Sequence, residues 1–318
     1  MNRKLILRIL LTIIFLALIV KTAGPAKIKE AAQAGDYVVI LLAILFTPIC
    51  IGLKALRWHL FARRVFPGLK FSRSLRSYLA GLGVSIITPA ASGELARGFF
   101  LDRKKGLELT GLVIVDKFVD LSMLLLLAFF GMGFVRRGLL RPLFFVMGVG
   151  FLFLPLAVKA GWQILPALFE RISSFVSTTS RQPFLLRLSS AVARTPRGLI
   201  MRALVLAFFN YLVYYMQAFV VVRGFAQELS VEAVAVFPLV TLSTLIPTIG
   251  GLGIREFTAG WLLSHFGVTK AVAANGFFLH FVIVTVLPAL VWLGFWGGAR
   301  ERKSLAQTEE EGEKARGQ

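Results

Sequence analysis

From Gly106 to Phe134 the chain carries only four charges, Glu108, Asp116, Lys117 and Asp120, on a mostly apolar background. At about 1.5 Å per residue a helix of that length reaches about 40 Å, enough to cross a bilayer with some tilt. Lipid offers the backbone no hydrogen-bond partners, so such a run must be a helix that satisfies its own peptide groups. Further apolar runs occupy Leu5–Val20, Tyr37–Leu53, Pro142–Val158, Leu199–Val222 and Ala271–Trp296. With 57% hydrophobic residues, 16% charged residues and a mean hydropathy of +0.78, the chain is too apolar for an ordinary soluble domain. The expected fold class is an all-α polytopic membrane protein, with about six full transmembrane helices.

The formal net charge of +20 would suit nucleic acid, but the basic residues cluster between apolar runs, where they read as positive-inside loops and contacts to anionic lipid. One cluster runs from Lys54 and Arg57 to Arg76 without an acidic residue, and another holds Arg97, Arg103, Lys104 and Lys105. Residues 159–202 carry seven basic residues against Glu170 alone, and Leu165, Leu168, Phe169, Ile172, Phe175 and Val176 mark one helix face. An amphipathic cytoplasmic segment is therefore expected over about 160–198, lying on the inner leaflet or packed on the bundle. Arg300, Arg302 and Lys303 put the C-terminus in the cytoplasm, and Met1–Val20 reads as an uncleaved first span from the same side. The organisation expected is one membrane domain over 1–298 and a disordered cytoplasmic tail over 299–318, in a bacterial inner membrane. Arg136, Arg137 and Arg141 fall on the outer side of this topology, against the charge rule.

Two stretches answer each other. Aligning Pro89 with Pro247 also aligns Ser85 with Ser243, Gly93 with Gly251, Arg97 with Arg255 and Phe99 with Phe257. Identities at one fixed offset point to an internal repeat, and Pro and Gly beside charges in an apolar setting mark broken helices around a site. The turns would be made by Pro89 and Gly93 in one copy and by Pro247, Gly250, Gly251 and Gly253 in the other. Basic clusters flank 78–91 on both sides, so a re-entrant hairpin keeps both clusters inside where a full span would not. Hairpins are expected at about 77–100 and 233–266, entering from opposite faces as an inverted repeat.

These breaks leave helix N-termini near the bilayer midplane, where phosphate or carboxylate satisfies the free N–H groups, and Arg97 and Arg255 add positive charge for two such sites. Glu94 and Glu256 would pair with these arginines, contact a cationic headgroup or carry a proton; a plain salt bridge at a helix start is the competing reading. Asp116, Lys117 and Asp120 lie inside a span, where charge is costly and faces a cavity. The histidines are dispersed and no metal-ligand spacing, G-x-S-x-G or Walker A motif occurs, so no metal, cofactor or catalytic residue is expected. Cys50 is a lone small residue in an apolar run.

Arg57-Trp58, Pro89-x3-Gly93-Glu94-x2-Arg97, Asp116-Lys117-x2-Asp120-Leu121 and Gly250-Gly251-x-Gly253-x-Arg255-Glu256 resemble the membrane region of lysylphosphatidylglycerol synthase/flippase proteins. The resemblance runs over about residues 5 to 298, and Ile249 stands where that family commonly has proline. It implies a lipid flippase or transporter; the substrate-binding candidates are Arg57, Glu94, Arg97, Asp116, Lys117, Asp120, Arg255 and Glu256. It carries no aminoacyl-transferase domain, so aminoacylation is not expected. The partners expected are anionic phospholipid headgroups, with a homo-oligomer or a lipid-synthesis partner besides; a membrane transferase acting on a lipid-linked headgroup or sugar, or a scaffold, are the alternatives.

Overall fold

A computed structural model describes residues 25–88, 92–135, 140–157, 195–246 and 250–292, with a few isolated positions besides. The run Leu5–Val20, most of the segment 160–198, the tail 299–318, Arg136, Arg137 and the two hairpin prolines Pro89 and Pro247 lie outside the described residues. Among the described residues all regular structure is helical. The order is α1 (Pro25–Gln33), α2 (Tyr37–Ile44), α3 (Thr47–Ala62), α4 (Phe71–Ile87), α5 (Arg97–Leu101), α6 (Gly106–Val135), α7 (Leu140–Gly150), α8 (Arg197–Arg223), α9 (Phe237–Ser243), α10 (Ile254–Leu263) and α11 (Lys270–Phe281).

Among the described residues four stretches are long and apolar enough to cross a membrane: Tyr37–Ala62, Gly106–Val135, Arg197–Arg223 and Lys270–Trp292. Arg141–Ala157 is apolar but shorter. The chain is thus a multi-pass membrane protein. Its outer surface agrees: Met201, Val205, Phe208, Leu212 and Met216 recur every three or four residues along α8 and are exposed, as are Val38, Leu41, Leu45 and Ile49 along α2 and α3. Stripes of that size would be a liability in water and are matched in hydrocarbon.

The second span differs from expectation at its far end. Lys54 and Arg57 were expected in a cytoplasmic loop beginning after Leu53, yet the helix continues to Ala62 and buries Arg57 to 2% exposure. The charge is tolerated because acidic residues on α6 meet it there, as described below. At its near end this span is broken between α2 and α3, where Pro48 removes a backbone donor. Buried polar side chains of α8 repair the break: Gln217 Nε2 donates to Ala43 O and to Thr47 Oγ1, both at 2.8 Å, and Asn210 Nδ2 donates to Cys50 O at 3.1 Å. Replacing Gln217 with Leu is expected to strand these acceptors and cost about 1–3 kcal/mol, read as a lower melting temperature in detergent.

The core gathers Trp58, Phe61, Leu109, Val113, Ile200, Phe237 and Phe277 where α3, α6, α8, α9 and α11 meet. Both predicted hairpin regions fold as helix, break, helix against this core. In the first, α4 turns through a short 3₁₀ segment, Ser92–Ala96, into α5. In the second, a 3₁₀ segment at Val231–Val236 leads into α9, which breaks before α10. The arms are unequal, with a long first arm in one unit and a longer second arm in the other.

Candidate functional site

Glycine shapes both breaks, by different means. Gly250, Gly251 and Gly253 take φ values of 59°, 74° and 83°, a region that side-chain-bearing residues rarely adopt. The G-G-x-G sequence therefore supplies the reversal that delivers the chain to α10. Gly93 instead permits close approach: a Cβ there would lie 2.6 Å from the Val84 carbonyl carbon and 2.7 Å from the Ser85 nitrogen. Its own N–H donates to Thr88 Oγ1 at 2.7 Å, tying the 3₁₀ segment to the end of α4.

Each hairpin then contributes an arginine seated on an aromatic ring. The Arg97 guanidinium lies 4.6 Å from the Trp58 ring centre and is 1% exposed, while Arg255 lies 4.3 Å from that of Phe281. Cation–π contact in a desolvated setting adds to ion pairing. Arg97 is hydrogen-bonded to Asp116, and Arg255 to Glu256. Arg57 completes the first set by pairing with Asp116 through Nε and with Asp120 through Nη1 at 2.7 Å. Asp116, with no exposed surface, therefore holds two arginines from two different elements. Lys117, one residue on, points to Glu94 at 2.6 Å.

A cavity of about 250 Å³ opens between the two hairpins. Ser85 and Glu94 border it from the first, Thr244, Gly250, Gly251 and Arg255 from the second, and Lys117 and Asp120 from α6. Two sites, one per hairpin, were expected; among the described residues both hairpin regions border the same cavity, with α6 in contact with each. Of the predicted site residues, Glu94, Lys117, Asp120, Gly250, Gly251 and Arg255 line it. Arg57, Arg97, Asp116 and Glu256 stand behind it as buried ion-pair partners. The expected free helix N-terminus in the second hairpin is already occupied: Glu256 Oε2 accepts from the Gly253 N–H at 2.7 Å. Glu256 thus caps α10 and braces Arg255 at once. Replacing Glu256 with Gln is expected to remove the charge from both contacts, so that amide exchange over 250–260 accelerates at least tenfold while α6 is unaffected.

The sequence reading missed Lys54, Tyr78 and Tyr214, which also line the cavity. Lys54 stands one turn before Arg57, a signal that the charged face of α3 continues inward, hidden because the span was closed at Leu53. Lys54 makes no ion pair with a described residue; its ammonium lies 5.8 Å from the Tyr214 ring centre. Three hydroxyls on the wall are engaged as donors to their own helices, Ser85 to Leu82 O, Thr241 to Phe237 O and Thr244 to Thr241 O. Among the described residues of the cluster, Lys54, Arg57, Arg97, Lys117 and Arg255 face Glu94, Asp116, Asp120 and Glu256, leaving one positive charge over. No three His, Cys, Asp or Glu side chains converge as a metal site among the described residues. The arrangement is a charged cavity with one net positive charge among its described charged groups, set inside a membrane domain.

A UPF0104 membrane protein from the archaeon Methanothermobacter thermautotrophicus is 22% identical over 302 residues, covering 86% of this chain and 89% of that protein. The match to the family described as "Lysylphosphatidylglycerol synthase TM region" extends over residues 5–291, nearly the whole chain and both hairpins. The chain belongs to the lysylphosphatidylglycerol synthase transmembrane-region family.

Proposed function

We propose that this protein moves a lipid with an anionic headgroup between the leaflets of a cytoplasmic membrane. The observation that carries the reading is a charged cavity bordered by both hairpin regions, set among helices long and apolar enough to span the bilayer. A charged headgroup in hydrocarbon faces a steep desolvation cost, and a cavity with fixed cations lowers that cost while the acyl chains stay in lipid. In this reading the chain has six spans, its termini lie in the cytoplasm, and the hairpins approach from opposite faces as an inverted repeat. A site reached from both faces is what alternating access needs. The residues bind and orient; no bond is made or broken, and the driving force is a lipid or ion gradient.

The test is reconstitution into liposomes containing fluorescent phosphatidylglycerol, without ATP, followed by a membrane-impermeant quencher. Transport predicts that the quenchable share rises from the outer-leaflet half towards the whole. Protection of the inner-leaflet half, as in protein-free vesicles, would overturn the reading.

A further inference from the structure

We infer that the cavity selects a headgroup bearing a single net negative charge, a phosphate monoanion of phosphodiester type, and that Lys54 is the residue that sets this preference. The inference rests on the transport reading for its setting, but the argument is one of charge and space within the cavity itself.

Each carboxylate of the cluster already has a cation within ion-pair distance: Asp116 two arginines, Asp120 Arg57, Glu94 Lys117 and Glu256 Arg255. Lys54 is the cation left over, and it borders the cavity. Lys54 is part-buried and feels Glu94 and Asp120 across the cavity without an ion-pair contact to either, so an anion that enters can pair with it directly. One negative charge neutralises the cluster. A phosphomonoester dianion would bring a second charge beside Glu94 and Asp120, which face the same space. A zwitterionic headgroup would satisfy Lys54 with its phosphate but bring an ammonium to a cluster that is then one positive charge in surplus. Both alternatives leave a charge uncompensated in a low-dielectric setting, where that is penalised most.

The other groups on the wall sharpen the choice. The hydroxyls of Ser85, Thr241 and Thr244 already donate to backbone carbonyls, so the strongest donors left to an anion are the cationic side chains. Lys54 offers three donors on a flexible stem and needs to break no existing ion pair to use them. Lys117 and Arg255 would have to share theirs with Glu94 and Glu256. The volume also discriminates: about 250 Å³ lies below the range of about 300–1,000 Å³ typical of drug-sized ligand pockets. It has room for a small headgroup.

The experiment measures binding, not transport, so that the two readings fail separately. Full-length protein in detergent is titrated with dioctanoyl phosphatidylglycerol, dioctanoyl phosphatidylcholine, dioctanoyl phosphatidic acid at a pH where it is a dianion, and inorganic phosphate, by intrinsic tryptophan fluorescence and native mass spectrometry. The expected result is phosphatidylglycerol bound at least tenfold more tightly than the other three. Lys54→Gln is expected to lower phosphatidylglycerol affinity to that of phosphatidylcholine, and Lys54→Arg to restore most of it. Thermal melting of both variants verifies that they are folded, and a fold that depends on Lys54 would itself contradict a cation without a structural partner. Equal affinity for phosphatidylglycerol and phosphatidylcholine, tighter binding of phosphatidic acid, equal binding of inorganic phosphate, or a folded Lys54→Gln variant with unchanged preference would each overturn the inference. Selective binding without leaflet exchange would instead sink the transport reading and leave the charge rule standing.

Discussion

Replacing Asp116 with Asn is expected to be the most damaging single change of charge in this protein. Asp116 is fully buried and pairs with both Arg57 and Arg97, themselves 2% and 1% exposed. Removing one partner of a buried pair costs about 3–5 kcal/mol, because the remaining charge stays desolvated. Here two guanidiniums are stranded together. Arg57 keeps Asp120 at 2.7 Å, whereas Arg97 is left with Glu94 at 4.0 Å, so Arg97 carries most of the loss. The measurement is thermal and denaturant melting in detergent, with folded yield on size-exclusion chromatography as a second readout. The further expectation is that Arg97→Met, added to Asp116→Asn, recovers part of the stability, since an apolar side chain can still pack on Trp58. A melting temperature unchanged in the single variant would mean that the arginines find other partners.

The second large effect is expected from Gly93→Ala. The added methyl group would sit 2.6 Å from the Val84 carbonyl carbon and 2.7 Å from the Ser85 nitrogen, and these are backbone atoms of α4 that cannot rotate away. Relief requires the 3₁₀ segment to move off α4, which breaks the Gly93 to Thr88 hydrogen bond and withdraws Glu94 from Lys117. Overpacking of this kind costs about 1–3 kcal/mol, and the lost contacts place this site at the upper end. The loss should be local: cysteine accessibility and amide exchange would rise over 88–100 while the break at 250–253 is unchanged. A stable variant with native protection over 88–100 would show that the first hairpin is looser than described.

Much of the architecture was legible in the sequence. The spans expected at Gly106–Phe134 and Leu199–Val222 are found as Gly106–Val135 and Arg197–Arg223, because long apolar runs in lipid leave the backbone one solution. The G-x-G pairings were legible too, since three positive φ values in four residues are a glycine signature. What sequence could not supply were partners distant along the chain. Arg57 looked like the start of a loop because a cation ordinarily ends a span; only Asp116, 59 residues later in sequence, makes it a buried residue. Arg97 and Arg255 hold matching positions in the two sequence stretches, yet one is sealed between Asp116 and Trp58 while the other borders the cavity. Glu94 and Glu256 likewise part company, the first joined to Lys117 and the second capping its own helix. A local motif fixes which residue is present, and the packing of α3, α6 and α11 decides what it meets.

The central claim is that one cavity, shared by both hairpins, receives the headgroup. The most direct measurement is photocrosslinking of phosphatidylglycerol carrying a diazirine on its headgroup, in proteoliposomes, with the adducts mapped by mass spectrometry. The account predicts adducts on both sides of the cavity, around Ser85 and Glu94 and around Thr244 and Leu245, that disappear when unlabelled phosphatidylglycerol is added. Adducts confined to the exposed faces of α2 and α8, at positions such as Val38, Leu41, Phe208 and Leu212, and unaffected by competition, would contradict it.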